Sequence, residues 1–351
     1  MQQFSIRIDS DSANQRFDRF CRKFFKPYPH ITLKDIYHWI RKGLIRVKLK
    51  GAEHIRKAEE NITLYEGDQI ILHNIISEQL VDKSQLKTNS GAIQTFMSKQ
   101  GRSWETLIIW EDEDWIAWNK PAGIVAHEGN KHTEDITMNQ LLEFKNLADK
   151  HSGVIEEANK TFKPAFGFRL DKDTTGVLIS AKNYPALQYI NELIRDHNIT
   201  KIYLARVQWE TSRNKNHINL PLFKGFNATS GRAQTFVNQE KGLESTTIVT
   251  TLQNVNHERL WPISLVKCEL LSGRMHQIRV HLAHLWHPVI GDMQYGNAVI
   301  NRIANKYTHI TRQLLHSYNY QFIDHHDQEI SIIAPVPKEF NAFWEMNMKW
   351  I

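Results

Sequence analysis

From residue 104 onward the chain keeps returning to short apolar runs: "LIIWEDEDWIAWNKP", "KIYLARVQWE", "SLVKCELLSG" and "EISIIAPVP". Longer stretches with helical apolar spacing separate them. A chain patterned this way must pair the runs into a sheet and cover that sheet with helices, which predicts an α+β domain of roughly 250 residues. With 351 residues in all, there is room for a smaller unit ahead of it.

That smaller unit is legible in the first 76 residues. In "NQRFDRFCRKFF", Phe17, Phe20, Cys21 and Phe24 fall at i, i+3, i+4 and i+7, while Arg16, Arg19, Arg22 and Lys23 take the other side. "TLKDIYHWIRKG" predicts a second helix, with Thr32 as N-cap, Asp35 three residues on, Leu33, Ile36 and Ile40 as the apolar stripe, and Gly43 as the end. The alternating "LIRVKLKG" predicts a strand, and "LYEGDQIILHNI" a turn into another. Residues 15 to 57 hold 13 Lys or Arg against Asp18, Asp35 and Glu53, a local net of +10, whereas the whole chain is only +6. So concentrated a positive charge predicts a phosphate-binding face. The layout resembles the S4 RNA-binding domain, which implies that Arg41, Lys42, Arg46 and Lys48 meet RNA. The "KLKGAEHIRKAEEN" loop departs from the Asn-Gly-Lys turn usual there and keeps its charge.

Residues 77 to 103 are polar and lack a sustained period, which predicts a linker. The domains expected are therefore 1–76, a linker 77–103, and 104–351. No apolar run approaches the roughly 18 residues of a membrane span, and the start lacks a signal-peptide pattern. Cys21 and Cys268 stand apart and predict buried small residues, not a disulfide or zinc site. A cytoplasmic protein without membrane contact or an obligatory protein partner is expected.

One stretch carries the chemistry: "AFGFRLDKDTTGVLISAKN", residues 165 to 183. A D-x-D between apolar runs fits several chemistries. A calcium loop opening at Asp171 needs Glu at its twelfth position, where Lys182 stands and would repel the ion. A phosphoryl-transfer pair of aspartates with a later "GD" at Gly291–Asp292 is hindered by Arg169 and by the lack of a second acid after the glycine. Asp171 or Asp173 capping a turn with Thr174, Thr175 and Gly176 is a third reading, and it is the one favoured for Asp173. A single catalytic carboxylate is the fourth.

The fourth is favoured by a resemblance. "RLDKDTTGVLIS" resembles the R-L-D-x-x-T-S-G motif of the RluA-type pseudouridine synthases, and "NKPAGIVAH" their N-K-P-x-G-x-x-x-H. "KIYLARV" resembles K-x-Y-x-A-x-V, and "LLSGRMHQIRVHLAHLWHPVIGDMQYG" their G-R-T-H-Q-I-R-V-H-x-x-x-x-G-H-P-I-x-G-D-x-x-Y-G. "LLHSYNYQF" and "IIAPVPKEF" resemble the closing L-H-x-x-x-L-x-F and A-P-x-P-x-D-F. With an S4-like unit in front, the resemblance is to the large-subunit ribosomal RNA branch, the RluC and RluD kind.

The resemblance implies a catalytic domain with a mixed, mainly antiparallel central sheet flanked by helices. It also implies isomerisation of uridine to pseudouridine in 23S ribosomal RNA, or in the precursor large ribosomal subunit, without cofactor or metal. Modification of transfer RNA, or RNA binding without catalysis, are the alternatives. Asp171 would act on the ribose, as nucleophile at C1′ or as base at C2′. A carboxylate in an apolar site needs a cation to hold its charge, and the motif makes that Arg279. The target must leave the RNA stack; Arg169 would hold the gap it leaves. Tyr203 would stack on the extruded base, where its hydroxyl can help move the C5 proton.

Phe168, Thr175 and Met275 replace the usual His, Ser and Thr, and "DHHDQE" at 324–329 replaces an H-P-x-T-G-E turn. His276, His281, His284 and His287 lack carboxylate or cysteine partners at ligand spacing and are read as packing, hydrogen bonding or RNA contact, with His281 and His284 on one helical face. Gly123, Gly176, Gly273, Gly291 and Gly296 are expected to be turn glycines.

Overall fold

The computed structural model describes residues 4–9, 12–26, 28, 31–73, 76, 93–99, 101–126, 136–151, 162–211, 215–227, 233–257 and 261–341. The chain divides into two compact units, one of residues 1–96 with 142–163, the other of 97–141 with 164–351.

In the first unit a four-stranded antiparallel sheet runs in the order Phe4–Arg7, Gln69–Leu72, Ile45–Lys48, Arg56–Lys57. Phe17–Phe25 forms the first helix, with Phe17, Phe20, Cys21 and Phe25 in the core and Phe24 packed against it. The second helix, Leu33–Lys42, starts on a complete capping box between Thr32 and Asp35 and ends at Gly43, whose φ of 69° needs no Cβ to avoid a clash. Its stripe corrects the expected one. Leu33 is 57% exposed, and the buried face is Ile36, Trp39 and Ile40. Trp39 belongs to that face, its indole edge-on to Phe25 with centroids 5.5 Å apart. Within the stretch expected as a linker, residues 93–99 are helical with Ile93 and Met97 buried one turn apart, and 77–92 lie outside the described residues.

The second unit holds a ten-stranded sheet. Its path runs Asn216–Asn219, Thr246–His257, Trp261–Leu270, Thr200–Gln208, Leu315–Ile323, Thr175–Ala181, Trp115–Lys120, Ile108–Glu111. Thr175–Ala181 pairs in parallel with Leu315–Ile323, through Thr175 with His316 and Gly176 with Ser317; the other described pairings of this sheet's strands are antiparallel. "TGVLISA" is buried at every position, as a β-rich run covered on both faces should be. The helix Tyr184–Arg195, capped by the Asn183 side chain on the Ala186 N–H, places Ala186, Ile190 and Leu193 against Trp115, Val177 and Tyr320. The helix Ala298–Thr308, capped by Asn297, packs Ile300 and Ala304 against Leu204, Ile263 and Leu265. The expected α+β architecture with a mixed, mainly antiparallel sheet is what the chain forms. Among the described residues no helix is long and apolar enough to cross a membrane.

Gly176 is not a turn residue. It sits inside its strand with φ of 107°, and a Cβ there would lie 2.0 Å from the Ser317 carbonyl oxygen. Only glycine lets the parallel strands approach this closely at the end where Asp171 enters.

Candidate active site

Asp171 stands on the turn that feeds the Thr175–Ala181 strand, with the Thr174 N–H closing the turn on the Asp171 carbonyl at 3.1 Å. The turn is gripped from several directions. Arg312 Nη1 donates to the Asp173 carbonyl, Gln313 Nε2 to Thr174 Oγ1, and Thr175 Oγ1 meets His316 Nδ1 at 2.8 Å. His316 Nε2 lies 3.3 Å from the Ala334 carbonyl, so its N–H can donate there while Nδ1 accepts from Thr175; burial first of all pulls its pKa down to about 4.

Lys120 is the most informative of these anchors. Fully buried, it donates from Nζ to the carbonyls of Pro121, Ile124 and Lys172 at 2.9, 2.7 and 2.8 Å. Burial pulls its pKa down to about 7, with Asp173 and Asp171 opposing. Three carbonyl acceptors match the three hydrogens of an ammonium, so the charged form is the one this pocket satisfies. The Gly123 N–H also donates to the Lys172 carbonyl, and the "NKP" segment is thereby sewn to the residue after Asp171. Lys120→Met is expected to strand the buried carbonyls of Pro121 and Ile124 and cost about 2 kcal/mol or more, with loss of activity as the turn loosens. Denaturant unfolding checks it; a variant as stable as wild type would show that water or neighbouring groups replace the clamp.

The Asp171 side chain is 24% exposed and accepts from Arg279 Nη1 at 2.8 Å. Arg279 lies in the first turn of the helix Gln277–His284, which follows directly on His276 at φ 57°. The other edge of its guanidinium donates twice to Asp292, from Nε at 2.7 Å and Nη2 at 2.9 Å. Asp292 in turn accepts the N–H groups of Gln294 and Tyr295. Burial opposes the charges of both partners, yet Asp292 and then Asp171 hold the Arg279 pKa well above its ordinary value, and Arg279 holds the Asp292 carboxyl below 3.8. The Tyr295 ring lies 5.0 Å beneath the guanidinium. The cation is therefore locked by one carboxylate and offers one N–H to the other.

His276 completes this side. The Tyr295 hydroxyl accepts the Thr235 N–H at 2.9 Å and lies 2.9 Å from His276 Nδ1. The other ring nitrogen, Nε2, lies 3.8 Å from Asp171 Oδ1. Burial first, and then Arg279, keep His276 below its usual pKa.

Tyr203 is buried in the Thr200–Gln208 strand, its hydroxyl 2.8 Å from that of Tyr320. Burial pushes its pKa up to about 12, with the nearby Asp171 charge adding to the rise. Arg169 is exposed and carries no hydrogen bond or ion pair among the described residues. The half-buried Asp173 contributes its carbonyl to Arg312.

In the first unit, Arg41 and Lys42 close the second helix, and Arg46 and Lys48 lie on the strand two residues beyond Gly43. Arg41, Lys42 and Arg46 are exposed, Lys48 is half-buried, and none of the four is ion-paired among the described residues. The exposed Arg56 and Lys57 pair beside Val47 and Arg46 and extend the same edge, which the loop sequence alone did not single out. Asp18 is buried and takes the charge of Arg16 and Arg22, so those two do not belong to it.

The histidines part company. His281 is buried between Thr247 and Ser245, His284 is exposed one turn on in the same helix, and His287 lies 3.3 Å from the Gln208 carbonyl. His127 of the "NKPAGIVAH" block lies outside the described residues. Among the described residues one group has a donor set for a metal ion: Asp114, His325 and His326, with donor atoms within 4.8 Å of one another. It sits at the far end of the Trp115–Lys120 strand from the Lys120 clamp, about 20 Å of extended chain away, and takes no part in the Asp171 site.

Residues 114–284, the stretch that holds Asp171, Tyr203 and Arg279, match the RNA pseudouridylate synthase family. The ribosomal large subunit pseudouridine synthase C of Escherichia coli is 29% identical over 90% of this chain and 88% of its own length. The ribosomal large subunit pseudouridine synthase D of Zymomonas mobilis is 30% identical over 69% of this chain and 72% of its own. In fold, the chain is similar to human RNA pseudouridylate synthase domain containing 4, with a TM-score of 0.52, 20% identity, and coverage of 73% of this chain and 95% of that one.

Proposed function

The chain belongs to the RNA pseudouridylate synthase family and isomerises uridine to pseudouridine in RNA; from that premise we propose that it acts on large-subunit (23S) ribosomal RNA, with Asp171 as the catalytic carboxylate. The observation that carries the reading is the partly exposed carboxylate of Asp171 facing a guanidinium that Asp292 has already immobilised.

The reaction breaks the N1–C1′ bond, turns the uracil in place and joins C5 to C1′; a proton leaves C5 and one is gained at N1. Nothing departs, so the paired carboxylates of glycoside hydrolysis, which manage a leaving group and a water, are not needed. Asp171 acts on the ribose at C1′ or C2′. Arg279 keeps a charged partner beside it throughout, fixed in advance so that little reorganisation accompanies the step. Tyr203 lines the place of the extruded uracil. Arg169, exposed and unpaired among the described residues, is available to the RNA where that nucleotide left the stack.

The first 76 residues are read as an S4-like RNA-binding domain, 77–103 as a linker and 104–351 as the catalytic domain. The cations Arg41, Lys42, Arg46 and Lys48, without an ion pair among the described residues, support phosphate binding by shape and charge. The relatives named for the large ribosomal subunit, covered over most of their length, support the substrate.

Mapping pseudouridines in ribosomal and transfer RNA from a strain lacking the enzyme, before and after adding it, tests the proposal. New pseudouridine in 23S RNA is the expected outcome. Modification confined to transfer RNA would overturn the substrate, and no modification of either the activity.

A further inference from the structure

Tyr320 stands where the closing L-H-x-x-x-L-x-F pattern has its second leucine, and Phe168 stands where R-L-D is usually preceded by His. These two departures lie far apart in the chain and touch in space. The rings stack with centroids 4.9 Å apart and planes 8° from parallel. The Tyr320 hydroxyl, itself fully buried, reaches the Tyr203 hydroxyl at 2.8 Å. A leucine could do neither. Without Tyr320, the Tyr203 hydroxyl would lose this partner within the core, at a cost of about 1–3 kcal/mol. Phe168 is three residues ahead of Asp171 in the same loop.

We propose that Tyr320 is a positioning residue for the isomerisation: its hydroxyl aims the Tyr203 phenol, and its ring, held by Phe168, ties that phenol to the loop bearing Asp171. The inference rests on the reading above that Tyr203 faces the extruded base. Whichever hydroxyl donates, the bond between them fixes the direction in which the Tyr203 oxygen faces the base. The step that feels this is the proton shift from C5 to N1: the Tyr203 oxygen takes up the C5 proton as the phenol hydrogen is released towards N1, so the phenol ends unchanged and a misdirected one slows the shift.

The test compares wild type, Tyr203→Phe and Tyr320→Phe in single-turnover reactions on the target RNA, made once with ordinary uridine and once with uridine deuterated at C5. Tyr320→Phe keeps the stack and removes only the hydroxyl. It should slow product formation about tenfold, the effect of one lost hydrogen bond, with RNA affinity unchanged. It should also introduce or enlarge a deuterium isotope effect, which a loss of packing would not do. Phe168→Leu should slow the reaction in the same direction. A Tyr320→Phe enzyme as fast as wild type, or slower without a change in isotope effect, while Tyr203→Phe is impaired, overturns this inference alone. A fully active Tyr203→Phe overturns it together with the placement of Tyr203.

Discussion

Asp171→Asn is expected to end pseudouridine formation, by at least about 10³-fold, the scale on which removal of a reacting group is felt. The amide is close in shape to the carboxylate but can neither attack C1′ nor take a proton from C2′. The fold should survive. Arg279 keeps its two bonds to Asp292, and the lost contact belongs to a side chain that is partly in water, where such pairs are worth about 1 kcal/mol or less. Pseudouridine yield over a single turnover, read beside a thermal melt, separates the two effects. Asp173→Asn is the control, since that residue serves the turn through its carbonyl, and it should retain most activity. Equal loss in both variants would return the paired-carboxylate chemistries; full activity of Asp171→Asn would remove the residue from the mechanism.

What the sequence showed and what it hid divide along physical lines. Local signals read well: the capping box at Thr32 and Asp35, the glycine stop at Gly43, and the alternation of Ile45 and Val47 all depend on neighbours a few residues away. Leu33 misled because helical periodicity places a residue on a face without saying how far the core extends along it. Gly176 misled for another reason. Its intolerance of a Cβ comes from the Ser317 carbonyl, 141 positions onward, and no local pattern contains that.

At the site, Asp171 and Arg279 are legible because each sits in a motif, and the structure brings them to 2.8 Å. Their support is not legible in the same way. Lys120 lies inside the quoted "NKP" and His276 inside "MHQIR", but a buried lysine that clamps three carbonyls and a histidine held between Tyr295 and Asp171 are properties of the assembled fold. Asp292 was weighed only as a second acid for phosphoryl transfer. The signal that could have found it was its place in the same block as Arg279, 13 residues on, with the turn glycine Gly291 ahead of it to bring the chain back.

Asp292→Asn puts the value of that support to measurement. Both sides of this ion pair are buried, so removing the negative partner leaves a guanidinium with only the partly exposed Asp171 to answer it. The expected cost is about 3–5 kcal/mol, seen as an earlier midpoint in denaturant. Activity should fall as well, because an arginine freed on one edge no longer holds its Nη1 toward Asp171. The same pair sets an acid limit. Asp292 has its pKa below 3.8 in the fold, so its contribution is complete above that pH and is lost as pH falls through the lower folded value. A double variant, Arg279→Met with Asp292→Leu, separates stability from chemistry. Exchanging a buried ion pair for apolar side chains of similar volume is often neutral for folding, so most of the lost stability should return, while the reaction, deprived of the cation beside Asp171, should not. Recovery of activity along with stability would mean that Arg279 serves the fold and leaves the chemistry to others.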